Sequence, residues 1–425
     1  MLGALATTVL NLTDTAFMAR VGQVELAAMA IASIFHFLLY MIGFALATGA
    51  QILIARRAGE DNRKEIGALF NHSFILLLGL GIITFFISLF LSPEILNLII
   101  RSDGVAQSSI DYVQIRSFGL LIGITGLVFR SFFVGIGRTN IITTAAVVMM
   151  IVNIVLDFFL VLGYGGITPM GIKGAAWATV IAEVLSVIVI SIYPFLKVKY
   201  KVYHLFKFDA FSSDKYKSIL KISSPLIFQN AISMTSWFIF FVLIEKMGER
   251  ELAISNIARA VYMVLMTPIW GFASAANSMV SNIIGQGKIN EVKSLVIKIM
   301  LLCLTTTSLL VLVDYISGPF LLQLTSSDSK LVEDTLGVYH VIMFAMVIFS
   351  VSVILLSAVS GTGNTMAALV IEIINISIYL LYVYLCTIFS AKIEVAWLAE
   401  IIYWTFMGLF SLIYFKYYNW KSVNL

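Results

Sequence analysis

Twelve stretches of apolar residues, separated by short polar segments, dominate the chain. Each is roughly 18 to 28 residues long, and a helix needs ~20 residues to cross the hydrocarbon core of a bilayer. Their continuous apolar character differs from the alternating pattern of membrane β-barrels. The pattern therefore predicts an all-α integral membrane protein with twelve transmembrane helices, at residues 2–18, 27–55, 67–92, 112–134, 140–163, 174–196, 218–244, 252–283, 293–315, 336–359, 366–389 and 393–415.

The composition supports this class and leaves no room for a large soluble domain. Hydrophobic residues make up 60% of the 425 positions and charged residues 12%, about half of the ~25% that is typical of soluble domains. The sequence contains no phosphate-binding glycine loop followed by Lys and Ser/Thr, no HExxH and no CxxC. We therefore expect neither an enzyme nor an ATP-driven pump, and no cofactor apart from a coupling ion.

Basic residues are concentrated in alternate loops. Short loops rich in lysine and arginine remain in the cytoplasm, so all of these loops share one face if the amino terminus is inside. We predict a multi-pass protein of the cytoplasmic (inner) membrane with both termini in the cytoplasm. The basic positions are Arg56, Arg57, Arg63 and Lys64 after the second span, seven lysines between residues 197 and 221, Lys288, Lys293 and Lys298 after the eighth span, and Lys416 and Lys421 after the last.

An internal repeat connects the two halves of the chain. The segment "VGQVELA" at 21–27 aligns with "MGERELA" at 247–253, and "GIGRT" at 135–139 aligns with "GTGNT" at 361–365, both at an offset of 226 residues. Because six spans is an even number, both halves enter from the same face and form a parallel repeat, as in many transporters. We predict an amino-terminal lobe at 1–196, a basic cytoplasmic link at 197–221 and a carboxy-terminal lobe at 222–425, with a cavity near the bilayer midplane.

Few charged side chains fall within the predicted spans, where each costs at least ~2.5 to 3.5 kcal/mol on insertion scales. Asp14 lies in the first span, Asn153 and Asp157 share one face of the fifth, and Thr179 follows Ala175 on the sixth. These groups are hard oxygen donors suited to a small cation such as Na⁺, and two close carboxylates would also tend to share a proton. Alternatively, each polar group bonds only to a neighbouring helix.

The repeat distinguishes these two interpretations. The positions equivalent to Asn153 and Asp157 in the second half are Tyr379 and Val383, so the second half lacks the acid. An element that is absent from one lobe is unlikely to be a requirement of the scaffold. We therefore place ion coupling in the amino-terminal lobe. The first span is the shortest, which leaves open whether the first helix is complete.

Other polar and aromatic positions are weaker candidates for a substrate cavity. Abundant phenylalanine and methionine would suit varied aromatic cations through cation–π and adaptable contacts. Glu183 and Glu372 are candidates for a second protonatable group, or else have a structural role. The residues that we assign to the cavity are Phe17, Arg116, Arg130, Gln229 and Asn230, and the two arginines, which share a helix face, could instead pair with acids.

Three segments resemble the multidrug and toxic compound extrusion (MATE) transporters: "NLTDTAFMARVG" in the first span, "NIVLDFFLVLGYGG" in the fifth and "GIKGAAWAT" in the sixth. The resemblance implies two six-helix lobes that alternate between outward and inward access and export organic cations in exchange for Na⁺ or H⁺. The cation site that it implies contains Asp14, Asn153, Asp157 and Thr179, with the backbone carbonyl of Ala175. Acids that the NorM-type branch uses in the seventh and tenth spans are missing here, so the chain is more similar to the DinF-like branch.

Two other functions compete with this interpretation. A flippase for a lipid-linked precursor would need several basic groups in its cavity to hold a pyrophosphate, and Arg116 and Arg130 are the candidates. A membrane scaffold or sensor without transport activity is disfavoured by the two acids within the spans. We expect a monomer whose partners are small organic cations and membrane lipid, and no nucleic acid.

Overall fold

The structure is a computed structural model that describes residues 2–207, 212–325 and 328–422. Within these ranges the secondary structure is helical and contains no β-strand, which confirms the predicted all-α class. The α-helices are α1 Leu2–Val21, α2 Gln23–Gly59, α3 Arg63–Phe86, α4 Ser92–Ile99, α5 Asp103–Gly135, α6 Asn140–Leu160, α7 Gly171–Leu196, α8 Ser213–Glu245, α9 Glu249–Gly285, α10 Val292–Thr325, α11 Ser329–Gly361, α12 Thr365–Ile388 and α13 Ile393–Tyr417.

Eleven helical segments in the described ranges are long and apolar enough to cross a membrane. One of them joins α3 to α4 through a short π-helical segment, Ile87–Leu91. The remaining long helix, α1, has 20 residues, but Asn11, Asp14 and four threonines lower its hydropathy. Thr13 and Thr15 return their hydroxyls to backbone carbonyls within α1, so these polar groups do not need water.

The helix boundaries repeat with the offset found in the sequence. Helix α9 begins and ends 226 residues after α2, and α11 begins and ends 226 residues after α5. Gly22 and Gly248 occupy equivalent positions before α2 and α9, and the carboxylate of Glu25 or Glu251, three residues further on, lies against each glycine. The equivalence therefore includes local backbone packing as well as helix length.

The chain divides into two compact units, Met1–Ser223 and Ser224–Leu425. In the first unit, α5 packs against α2, α3 and α7, while α1 packs against α6 and α7. In the second unit, α11 packs against α9, α10 and α13, and α12 packs against α13. Each unit has its own apolar core, and the largest fully buried side chains of the second include Trp397, Tyr262 and Tyr339.

The segment between α7 and α8 is fastened to α3 within the first unit. Residues Val198–Tyr203 form a 3₁₀-helix, and residues 213–221 already belong to α8. Asn71 of α3 donates its side-chain N–H to the carbonyl oxygen of Lys207 (2.7 Å) and accepts the backbone N–H of Phe206 (2.7 Å). Four residues before Asn71 on the same helix, Gly67 lies directly against the backbone carbonyl group of Tyr203. This part of the basic link is therefore held against α3 by specific backbone contacts.

Gly67→Ala is expected to detach the link, because the added methyl group would overlap the carbonyl oxygen of Tyr203. Overpacking of this kind costs ~1 to 3 kcal/mol, so we expect roughly tenfold faster tryptic cleavage at the link lysines. Gly79→Ala is the matched control on the same helix, since a methyl group there meets nothing within 4 Å. Equal cleavage rates for the two variants would contradict the tight contact at Gly67.

Candidate ion-binding site

Three helices of the first unit bring together the polar side chains predicted to form an ion site. Helix α1 carries Asp14, α6 carries Asn153 and Asp157, and α7 carries Thr179. The three helices contact one another in pairs. The beginning of α7 reaches the end of α6 closely because Gly174 lies against the backbone of Leu160, where a Cβ atom would be only 2.6 Å from the carbonyl oxygen.

The four side chains are withdrawn from the surface and contact one another. Asn153 and Asp157 are fully buried, and Asp14 and Thr179 are 7% and 6% exposed. Asn153 Nδ2 donates to Thr179 Oγ1 (3.3 Å), and Thr179 Oγ1 donates to the carbonyl oxygen of Ala175 (2.9 Å). The carboxyl groups of Asp14 and Asp157 lie next to each other in this cluster. The structure thus assembles the set that the sequence predicts.

Several oxygen atoms in this cluster are buried without a hydrogen-bond partner. They are Asp14 Oδ1, Asn153 Oδ1 and both carboxylate oxygens of Asp157. Ionised carboxylates are acceptors only, so two of them cannot satisfy each other. A shared proton would provide one hydrogen bond, whereas a small hard cation such as Na⁺ could contact all of these oxygens. The arrangement therefore fits a proton or a small cation.

A transition metal does not fit this chemistry. In the described ranges, no group of three or more His, Cys, Asp or Glu side chains could hold a metal ion. The cluster combines two carboxylates with an amide and a hydroxyl, and it has no imidazole or thiolate ligand.

The equivalent place in the second unit has apolar and aromatic chemistry. At the offset of 226 residues, Asp14 corresponds to Phe240, Asn153 to Tyr379 and Asp157 to Val383. Phe240 and Tyr379 stack with ring centroids 5.8 Å apart, and Val383 is fully buried. The repeat thus keeps these positions adjacent while replacing the oxygen donors with packed side chains.

Arg116, predicted to line a cavity, is instead engaged in an ion pair next to the cluster. Its guanidinium donates to both carboxylate oxygens of Glu183 (2.8 and 2.9 Å) and contacts Nε2 of His36 (2.9 Å). Arginine has no acceptor, so Nε2 of His36 accepts and its proton lies on Nδ1. Sequence reasoning missed His36 because nothing in its own helix marks the partner, which is 80 residues away.

The other predicted cavity residues have diverse surroundings. Arg130 lies over the ring of Phe44 (4.6 Å to the centroid), and its guanidinium is 3.5 Å from the side-chain oxygen of Gln51. Three further positions are half-buried: Phe17 packs against the apolar core of the first unit, and Gln229 and Asn230 lie on α8 in the second unit.

Two helical repeats with buried ionisable groups within the spans define the class of membrane transporters. Comparison with known sequences identifies the family. The sequence profile of the MatE family matches residues 1–159 and again residues 225–386, once in each half. The chain belongs to this family, the multidrug and toxic compound extrusion transporters, and is therefore a transporter and not an enzyme.

Individual relatives are distant but cover most of the chain. "Probable multidrug resistance protein NorM" of Thermotoga maritima is 22% identical over 415 residues, which span 97% of this chain and 89% of the relative. "Probable multidrug resistance protein YoeA" of Bacillus subtilis is 21% identical over 363 residues, 82% of this chain and 76% of the relative.

Solved transporter structures share the fold. A mutant of the Vibrio cholerae MATE transporter VcmN superposes with a TM-score of 0.89 at 18% identity, covering 99% of this chain and 95% of that one. A MOP superfamily transporter from Pyrococcus furiosus gives 0.88 at 20% identity, covering 98% and 92%. These matches confirm the predicted fold.

Arg116→Met is expected to lower the free energy of unfolding by ~3 to 5 kcal/mol, because it leaves Glu183 charged, largely buried and unpaired. Adding Glu183→Gln removes that charge, so the double variant should recover part of the loss. Denaturant unfolding in detergent micelles measures the free energy of unfolding of the single and the double variant. A single variant as stable as the double variant would show that the pair is not electrostatically coupled.

Proposed function

We propose that this protein is a cation-coupled antiporter that exports organic cations, and that Asp14, Asn153, Asp157 and Thr179 bind the coupling ion. The observation that carries the proposal is the set of buried, unpartnered oxygens on Asp14, Asn153 and Asp157. Relatives named as probable multidrug resistance proteins support drug export as the activity. The carbonyl oxygen of Ala175 accepts from the Thr179 hydroxyl and thereby borders the same cluster.

Coupling follows from the repulsion between the two acids. When the site is empty of ion and proton, Asp14 and Asp157 repel each other across the contact between α1 and α6. When an ion or proton binds, that repulsion is removed and the helices favour a different packing. A substrate that binds one of these packings more tightly is then exchanged for the ion, with the substrate site open alternately to the two sides of the membrane.

Either Na⁺ or H⁺ could fulfil this role, since both remove the repulsion. The coupling ion is a transported substrate of the cycle, and no other cofactor is required by the proposal. The substrates are small organic cations, and the candidate contacts are the aromatic ring of Phe17 in the first unit and, separately, the amides of Gln229 and Asn230 in the second unit. The protein would act as a monomer in the lipid of the cytoplasmic membrane, with both termini inside and no nucleic-acid partner.

The arrangement of the basic groups disfavours a lipid-precursor flippase. A pyrophosphate needs cationic groups that can turn toward it. Arg116 is instead neutralised by a bidentate contact with Glu183, and Arg130 is engaged by Phe44 and Gln51. Export of cations is the more consistent function for a site dominated by acids and amides.

Asp157→Asn is expected to reduce ethidium export to background, because the amide keeps the shape of the side chain but removes the charge that the ion neutralises. The measurement is ethidium transport into everted vesicles containing equal amounts of inserted protein. A Na⁺ gradient and a pH gradient are imposed in separate arms. The gradient that drives transport in the wild type identifies the coupling ion.

The matched control is Asp61→Asn, which removes an acid from the exposed turn after α2. The Asp61 side chain is 81% exposed, and its left-handed backbone (φ 50°) is one that asparagine tolerates. This variant should transport as the wild type does. Wild-type export by Asp157→Asn under both gradients would exclude the proposed coupling site.

A further inference from the structure

The second unit contains two buried glutamates that belong to no site described so far. Glu372 of α12 is 2% exposed and Glu400 of α13 is 3% exposed. No basic side chain in the described ranges forms an ion pair with either one. Buried acids without a cationic partner need hydrogen bonds or a proton, so the donors around each glutamate decide its state.

Glu400 is surrounded by hydrogen-bond donors on both carboxylate oxygens. Tyr262 donates to Oε2 (2.6 Å) and Tyr379 donates to Oε1 (3.1 Å), while the Trp404 N–H is shared between Oε2 (3.1 Å) and the Tyr262 hydroxyl (2.9 Å). Donors from three helices therefore reach the carboxyl group, and each of its oxygens accepts at least one hydrogen bond. The surroundings of Glu400 thus leave neither oxygen without a partner.

Glu372 is hydrogen-bonded on one oxygen only. Oε1 faces the hydroxyl groups of Ser233 and Tyr403, the latter at 2.6 Å. Oε2 is buried and has no partner. An unpartnered oxygen is far more costly on a charged carboxylate than on a neutral carboxylic acid. The pocket therefore accommodates the neutral form better than the charged form.

The hydrogen-bond count at Ser233 supports the same conclusion. Its hydroxyl oxygen lies within bonding distance of both Glu372 Oε1 and the backbone carbonyl of Gln229 (2.8 Å), but it has one proton to donate. If Glu372 carries a proton, the carboxylic acid donates to Ser233 and Ser233 donates to Gln229. Both contacts are then satisfied, which the ionised carboxylate does not permit.

We propose that Glu372 is a proton-binding site of the second unit, in which a proton from water is held between Glu372 Oε1 and Ser233 Oγ. On release, the proton returns to water and the Ser233 hydroxyl turns from the carbonyl of Gln229 to Glu372. Gln229, Ser233 and Tyr403 are each only half-buried, so the pocket around Glu372 is not sealed within the second unit. This site stands independently of whether the Asp14–Asp157 cluster couples transport.

The ligand is a proton rather than Na⁺ because the side chains around Glu372 Oε1 include hydroxyl groups that donate to it. A cation would compete with the Ser233 and Tyr403 protons for Oε1, whereas the Asp14–Asp157 cluster presents several free acceptors. The surrounding titratable groups are Tyr403, with Glu400 one turn away on α13, and Tyr379 and Tyr262 around Glu400. Helix α11 contributes the uncharged Phe349, which packs on Trp404.

Infrared difference spectroscopy of the purified full chain in lipid nanodiscs, recorded while the pH is stepped, tests the proposal. The wild type should show a carboxylic acid C=O band at the high frequency typical of a carbonyl without a hydrogen bond, matching Oε2. Glu372→Gln should lose this band and take up about one proton fewer per chain across the same pH step. Glu400→Gln and Asp157→Asn should both keep the band.

Labelling the wild type with ¹³C-carboxyl glutamate provides a second measurement that does not depend on any variant folding. The band should move to lower frequency, because the proposal assigns it to a glutamate and the first unit's cluster contains aspartates. The proposal is overturned if the band does not move, if Glu372→Gln retains it, if Asp157→Asn removes it, or if the folded wild type shows no such band.

Discussion

A carboxylate inside a bilayer costs several kcal/mol unless an ion, a proton or a set of donors compensates it. Asp14 and Asp157 lie next to each other in the first unit with unpartnered oxygens, so it is costly for both to be charged at once unless a ligand binds between them. The details of α1, α6 and α7 follow from this constraint. Gly174 lets two of the helices approach, and Asn153 and Thr179 bond to each other so that the site keeps a defined shape.

The second unit repeats the helix lengths of the first but carries different side chains at the positions equivalent to Asp14 and Asn153. Helices α9 and α11 reproduce the lengths of α2 and α5, yet the position of Asp14 is taken by Phe240 and that of Asn153 by Tyr379. Tyr379 has no amide oxygen to offer as Asn153 does, and its hydroxyl donates to Glu400. After duplication, a helix position can keep its neighbours and change its chemistry, because packing depends on volume and ion binding depends on donor type.

The parts of the structure that the sequence predicts are those determined by local composition. Apolar run length predicts the spans, and the cost of a buried charge singles out Asp14 and Asp157, which the structure brings together. Spacing of four residues places Asn153 beside Asp157 on one helix face. Each of these inferences needs only one helix at a time.

The remaining contacts involve helices that are distant in sequence, and no local pattern reveals them. The sequence leaves Arg116 either lining a cavity or paired with an acid, because nothing near it in the chain indicates that Glu183 will meet it from α7. The link between α7 and α8 is rich in lysine, which is typical of a solvated loop, yet its backbone is fixed by Asn71 of α3. Pairing of this kind depends on which helices pack against each other in the folded protein.

Glu372 and Glu400 differ in how many of their carboxyl oxygens are hydrogen-bonded, and this difference decides which buried acid favours binding a proton. Both are deeply buried, both lie away from basic groups, and both touch tyrosine hydroxyls. Glu400 has a donor on each oxygen, so both oxygens are already hydrogen-bonded and no unpartnered oxygen favours the neutral acid. Glu372 has one oxygen without a partner and shares Ser233 with a backbone carbonyl, so a proton completes a hydrogen-bond chain that is otherwise one proton short. Burial alone therefore does not make an acid a switch; the balance of donors and acceptors around it does.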